Sequence, residues 1–232
     1  MKIEEKYYTH TPYTSPLKRQ LWKKFDERLA KLILSYYDDK YDALQCLDQP
    51  DLQIIDKSLA IEVVNVKSKI EGFIDGNFAN YTDPKASDKK KNVSIKNLNK
   101  IGIQMQFPGV ITKPSITDKN RIEHIVCAYK TKIDKLDKYK EYGFNKIGLF
   151  LIDENPLINP LFENISTTLK HEFTSKDYDI IFYNAANTLI LFDSDKNVID
   201  NIKIPNKDFN AINYKARDIV EHLEITKKNI AR

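Results

Sequence analysis

The stretch Pro50-Asp51-Leu52-Gln53-Ile54-Ile55-Asp56-Lys57-Ser58-Leu59-Ala60-Ile61-Glu62-Val63-Val64-Asn65-Val66 decides how this chain reads. Two short apolar runs, 51–55 and 59–66, flank the polar residues Asp56, Lys57 and Ser58. That is the pattern of two antiparallel strands joined by a tight turn. Each strand carries one carboxylate: Asp51 opens the first, and Glu62 lies inside the second among Ile61, Val63 and Val64. An ionised carboxylate in so apolar a run is costly to bury unless something pairs with it. A divalent cation held jointly by Asp51 and Glu62 is such a partner, because hard cations take carboxylate oxygens. With the turn centred on 56–58, Asp51 faces position 63. A one-residue offset, or the twist of the hairpin, then brings the two carboxylates to one face.

A helix is predicted before the hairpin, over 16–37. Ser15 suits its N-cap, Pro16 its first position, and Leu21, Phe25, Leu29, Leu32 and Tyr36 form an apolar stripe that ends at Asp38-Asp39. Residues 41–47 read as a strand. After the hairpin, 67–81 reads as a short amphipathic helix and 101–107 as a strand or short helix broken by Pro108-Gly109. The segment 85–100 has few apolar residues and carries Lys85, Lys89, Lys90, Lys91, Lys96 and Lys100. It reads as a loop or insertion, either a solvated excursion or an arm that contacts phosphates.

Ile122, Ile125, Val126, Tyr129, Ile133 and Leu136 share one face of a second helix over 120–142, which Gly143 would cap. The run 147–152 then reads as a buried strand, and 161–171 as a helix. Strands follow at 179–183, 188–192 and 198–204, with a last helix over 214–228. The order gives an α/β fold: a mixed sheet flanked by helices, with the strand at 147–152 parallel to a neighbour reached by crossover.

The 232 residues fit a single domain, 1–232, with a core at about 15–152 and a C-terminal extension of the same sheet at 153–232. A net charge of +4 tilts the chain toward an anionic partner, although the lysines also read as a solvated surface. No apolar run approaches the ~18 residues of a membrane span, and Met1 to His10 is no signal peptide. Cys46 and Cys127 match no metal or redox spacing. Cytoplasmic location is the expectation. Six glycines and no Gly-rich loop weigh against nucleotide-binding enzymes, and the four scattered histidines against a zinc site.

Pro50-Asp51, ten residues, then Glu62 in an apolar strand resembles the PD-(D/E)XK nuclease superfamily, the restriction endonuclease-like group. The flanking order extends the resemblance: a helix before the motif, then a helix and an apolar strand after it, similar to that family's αβββαβ core. The resemblance implies hydrolysis of DNA phosphodiester bonds with Mg²⁺ or Mn²⁺ held by Asp51 and Glu62, in a restriction, phage-defence or mobile-element setting. It implies DNA as a partner, contacted by Lys89, Lys90 and Lys91. A homodimer or a protein partner is compatible with it, because cutting two strands suits two-fold symmetry.

The family's lysine, two residues after the second carboxylate, is replaced here by Val64. Lys67, Lys69 and Lys132 are the candidates for its role, with Gln104 as a further polar group in an apolar setting. Lys67 and Lys69 have the wrong strand parity unless a bulge intervenes. Lys132 lies at the edge of the second helix's apolar face. Among first-helix carboxylates, Asp26 lies at the stripe's edge and Glu27 opposite it, on the expected solvent side. The alternative to an enzyme is a non-catalytic nucleic-acid- or protein-binding member of the same fold whose site has degenerated.

Overall fold

A computed structural model describes residues 21–230 except 68, 84, 104, 107–109, 112–117, 155–158 and 173–176. The proposed cap at Ser15-Pro16 and the candidate Gln104 lie outside the described residues. The strand-forming runs assemble into one seven-stranded mixed sheet flanked by helices. Helix α1 (Trp22–Tyr37) ends at Asp38, whose side chain accepts from the Lys40 N–H. A 3-10 turn, Asp39–Ala43, takes up the first three residues of the expected strand at 41–47, and a two-residue β1 (Gln45–Cys46) follows. The hairpin follows as β2 (Leu52–Gln53) and β3 (Ala60–Asn65).

The expected loop at 85–100 is instead half of a helical pair, α2 (Lys69–Thr82) and α3 (Asp88–Lys100). Ser87 accepts from the Lys90 N–H as N-cap, and Leu98 buries against Ile74 and Ile103. A small apolar cluster of three residues and a cap support a helix that its lysines alone do not advertise. A two-stranded ribbon, β4 (Met105–Gln106) and β5 (Val110–Ile111), comes next.

The predicted helix at 120–142 is two helices, α4 (Asp118–Ile133) and α5 (Leu136–Glu141), broken at Asp134-Lys135. Then come β6 (Ile147–Asp153), α6 (Asn159–Glu172), β7 (Ile180–Ala185), β8 (Thr188–Asp193), β9 (Val198–Lys203) and a long α7 (Asn206–Ile230). The sheet order is β1-β2-β3-β6-β7-β8-β9, with β3, β6 and β7 parallel and the other pairs antiparallel.

Alternation along the strands divides the core. Leu149 and Leu151 join Ile125, Tyr129, Leu136 and Tyr139 under α4 and α5, whereas Phe150 and Ile152 join Leu29, Ile33, Ile212 and Ala216 under α1 and α7. On β3, Ile61 and Val63 face α1 and Val64 packs against the α4–α5 layer. Glu62, between them, takes the α4–α5 side.

Candidate active site

Leu52 pairs with Ile61 and Gln53 with Ala60, a register one residue away from the one expected. Continued outward, it sets Asp51 beside Glu62. Both carboxylates are buried, Asp51 at 2% exposure and Glu62 at 1%. Asp51 Oδ2 accepts from the Val63 N–H at 2.9 Å, and Lys23 Nζ from α1 lies 3.1 Å from Oδ1. Burial works against the Lys23 ammonium, yet Asp51, with Glu27 and Glu62 further off, raises its pKa above the ordinary lysine range. Lys23 therefore senses the carboxylates of both strands.

Glu62 is held by the helix break. Lys132 Nζ donates to Oε1 at 2.6 Å, Lys135 Nζ to the same oxygen at 2.8 Å, and the Tyr139 hydroxyl to Oε2 at 2.6 Å. Burial pushes the Glu62 carboxyl up, and the three donors outweigh it, leaving its pKa below the usual glutamate range. The Tyr139 hydroxyl is driven well above its ordinary pKa, first by burial and then by donating to this anion. It stays protonated at any physiological pH.

Of the residues singled out from sequence, Lys132 is brought to Glu62. Lys67 is placed elsewhere: its ammonium lies 3.1 Å from Asp75 and 2.6 Å from Glu154. Strand parity accounts for this, since Lys67 follows the end of β3 and turns toward α2. Lys89, Lys90 and Lys91 lie in the first turn of α3, the first two exposed and the third partly buried. The first-helix carboxylates exchange their expected parts. Glu27 is buried rather than solvated, 3.6 Å from Lys23, and Asp51 adds to burial in raising its pKa. Helix α1 packs against α7 as well as the sheet, so its buried surface is wider than one stripe. Asp26 points instead to the cavity beside Lys67.

Lys135 and Tyr139 were not singled out. They lie three and seven residues beyond Lys132, across the break between α4 and α5, and it is that break that turns them onto Glu62. Gln49, before the cis peptide bond to Pro50, accepts from Lys138 at 2.6 Å and ties the hairpin's entry to α5.

Asp51 and Glu62 have the chemistry a hard divalent ion requires, and ammonium groups stand in for that ion on both. Among the described residues no group of three or more His, Cys, Asp or Glu side chains is placed to hold a metal. Mg²⁺ commonly takes one or two carboxylates and completes its shell with water and substrate phosphate; Asp51 and Glu62 are the residues that could offer them. Lys23 and Lys135, 66% and 43% exposed, are free to yield their places, whereas Lys132 at 16% is held. No protein-family model, curated protein or solved structure matches the chain.

Proposed function

We propose that the chain is a metal-dependent endonuclease that hydrolyses DNA phosphodiester bonds, of the restriction, phage-defence or mobile-element kind, on a restriction endonuclease-like core. The observation that carries this reading is the 2.6 Å bond from Lys132 to the buried Glu62. It supplies from α4 the carboxylate–lysine pair that Val64 withholds from the strand. Asp51 and Glu62 would hold Mg²⁺ or Mn²⁺, which when bound supplies a polarised phosphate oxygen and an acidified water. Lys132 offers a fixed positive charge where negative charge builds on the phosphate. Tyr139 locks the Glu62 carboxylate in one rotamer, and the Val63 N–H does the same for Asp51. The exposed lysines that open α3 offer backbone-phosphate contacts independent of sequence.

The test is cleavage of supercoiled and linear DNA in Mg²⁺ and Mn²⁺ by the wild type, Asp51→Asn, Glu62→Gln and Lys132→Met. Metal-dependent cutting lost in all three variants supports the reading, and cutting that survives Glu62→Gln ends it. A second reading, a binding protein on the same fold, is favoured by the saturation of the site. All four carboxylate oxygens already accept from, or ion-pair with, protein groups. DNA retention without cutting in either metal selects that reading.

A further inference from the structure

Helix α3 concentrates the charge of the chain. Its 13 residues hold Lys89, Lys90, Lys91, Lys96 and Lys100 against Asp88 alone, five lysines less one aspartate, net +4. The whole chain is also +4. The remainder therefore balances, and the basic excess seen in the composition belongs to one helix.

This helix is supported from the α2 side. Leu98 buries against Ile74 and Ile103, Ser94 is buried, and Asn97 Nδ2 donates to Asn77 Oδ1 at 3.0 Å. Helix α2 is tied in turn to the body: Lys67 Nζ lies 3.1 Å from Asp75, and His124 of α4 lies 3.7 Å from Glu71. Helix α3 packs chiefly on α2. Lys89, Asn92, Val93, Lys96, Asn99 and Lys100 are exposed. At 3.6 residues per turn they fall within about a third of the helix circumference, opposite Ser94 and Leu98. Asn92, Lys96 and Asn99 form one row, and Lys89, Val93 and Lys100 lie beside it. The acidic residue of the helix, Asp88, sits at its first position.

Lysines alone would suit any polyanion. The two amides and the valine narrow the choice. An asparagine amide carries a donor and an acceptor together and matches N7 and the amino group of adenine in the major groove. Lysine matches the acceptors of guanine, and an apolar side chain meets the thymine methyl. Val93 is half exposed amid the lysines and is the apolar member of this face. A bilayer surface calls for a broad apolar stripe instead, and single strands call for aromatic stacking partners, which these six positions lack. The helix is about 20 Å long and about 10–12 Å across, against a major groove about 12 Å wide. From Asn92 to Asn99 the rise is about 10 Å, the height of roughly three base pairs.

We propose that α3 is a recognition helix that enters the major groove of duplex DNA. Asn92, Lys96 and Asn99 read about three base pairs, and Lys89 and Lys100 hold the flanking phosphates. The proposal rests on DNA as the partner argued above, and not on the carboxylates cutting it. It adds base reading to the phosphate contacts already assigned to this helix.

The test uses the full chain carrying Glu62→Gln, in EDTA, because ammonium and amide contacts need no metal. Duplexes of random sequence are selected for binding. The enriched duplex is then compared with a scrambled one, with the same sequence as double-stranded RNA, and with phosphatidylserine vesicles. A motif containing adenine or guanine is expected, bound about 100-fold more tightly than the scrambled duplex. The RNA duplex, whose major groove is too deep and narrow to read, is expected to bind at least about tenfold more weakly. Asn92→Ala and Asn99→Ala favour the helix, and each is expected to relax the preference at one position about tenfold while leaving the salt dependence unchanged. Replacing Lys89 and Lys100 by alanine is expected to weaken both DNA duplexes alike and to flatten the salt dependence. The absence of any enriched motif, a motif that survives both asparagine substitutions in a folded protein, or equal binding of the RNA duplex or the vesicles overturns the proposal. Cutting by the wild type in Mn²⁺ is scored separately. A chain that binds its motif and never cuts keeps this proposal and ends the nuclease reading, whereas cutting that ignores every change in α3 does the reverse.

Discussion

Lys132→Met separates a catalytic lysine from a structural one. Methionine keeps the unbranched apolar stem, so little packing is lost. What goes is one of two ammonium donors to Glu62 Oε1, 2.6 Å away and mostly shielded. Deleting the sole partner of a buried charge costs about 3–5 kcal/mol. Here Lys135 and Tyr139 still hold the carboxylate, so the expected loss is nearer the worth of one charge-assisted bond, about 1.5–3 kcal/mol. For a chain of this size that lowers Tm by roughly 3–12 °C.

The Glu62 pKa, depressed in the folded protein, rises in the variant. A depressed carboxylate adds stability above its unfolded pKa of about 4.3 and loses it as pH falls through the folded value. The acid limb of the Tm–pH profile therefore moves to higher pH in Lys132→Met, while the profile above pH 6 keeps its shape. Removing a preorganised charge from the transition state costs about 10²–10³-fold in kcat. Gel assays of plasmid nicking at saturating Mn²⁺, beside differential scanning of the same preparations, give both numbers. A folded Lys132→Met that cuts within threefold of the wild type refutes the assignment. So does a Lys135→Met variant with the same kinetic loss, because the argument assigns the fixed charge to the shielded lysine.

Val64→Lys returns the ammonium to the strand, two residues from Glu62 on the same face, and in the Lys132→Met background it is expected to recover at least tenfold of the lost cleavage; no recovery in a folded double variant counts against the relocated-lysine reading. Lys23→Ala removes a stand-in cation from Asp51 Oδ1 and is expected to shift the Mg²⁺ midpoint for cleavage to lower concentration, and an upward shift refutes it. Asp26, pushed up to about 7 chiefly by burial, binds its proton more tightly when folded, so stability falls as pH climbs from the unfolded value near 4 through 7. Asp26→Asn is then expected to be more stable than the wild type by up to about 4 kcal/mol at pH 8 and equal to it near pH 4, by urea denaturation at both pH values. Replacing Lys89, Lys90 and Lys91 by alanine is expected to reduce the slope of log affinity against log salt for duplex DNA by up to about 0.9 per lost contact, and an unchanged slope excludes the segment from the interface.

The strands of the sheet were legible because their runs are short, apolar and bounded by turn residues, as at 147–152 and 188–192. Helix α3 was not, because its stability rests on Ser87 and a few tertiary contacts rather than on a visible stripe. The break between α4 and α5 was also hidden. Asp134-Lys135 carries no proline or glycine, and the apolar stripe runs on through Leu136. The consequences for the site are direct. Asp51, Glu62 and Lys132 could be named from the hairpin and the missing strand lysine. Lys135 and Tyr139 could not, since a polar side chain at a helix edge declares its partner only when the sheet opposite is known. Glu27 was misplaced because a single stripe was drawn for a helix that packs on two sides.

The charge balance of the site explains why its cations sit on helices. Asp51, Glu62 and Glu27 bring three negative charges, and Lys23, Lys132 and Lys135 three positive ones. Such a set is closed without a ligand, which lets two carboxylates stay buried at 2% exposure or less. Position 64 contributes packing against the α4–α5 layer instead of a charge. A lysine there would place its stem among those apolar side chains and its ammonium beside one carboxylate alone. Lysines borne by α1, α4 and the α4–α5 turn approach the hairpin from both faces, and the two that remain solvent-exposed can leave without unpacking the core.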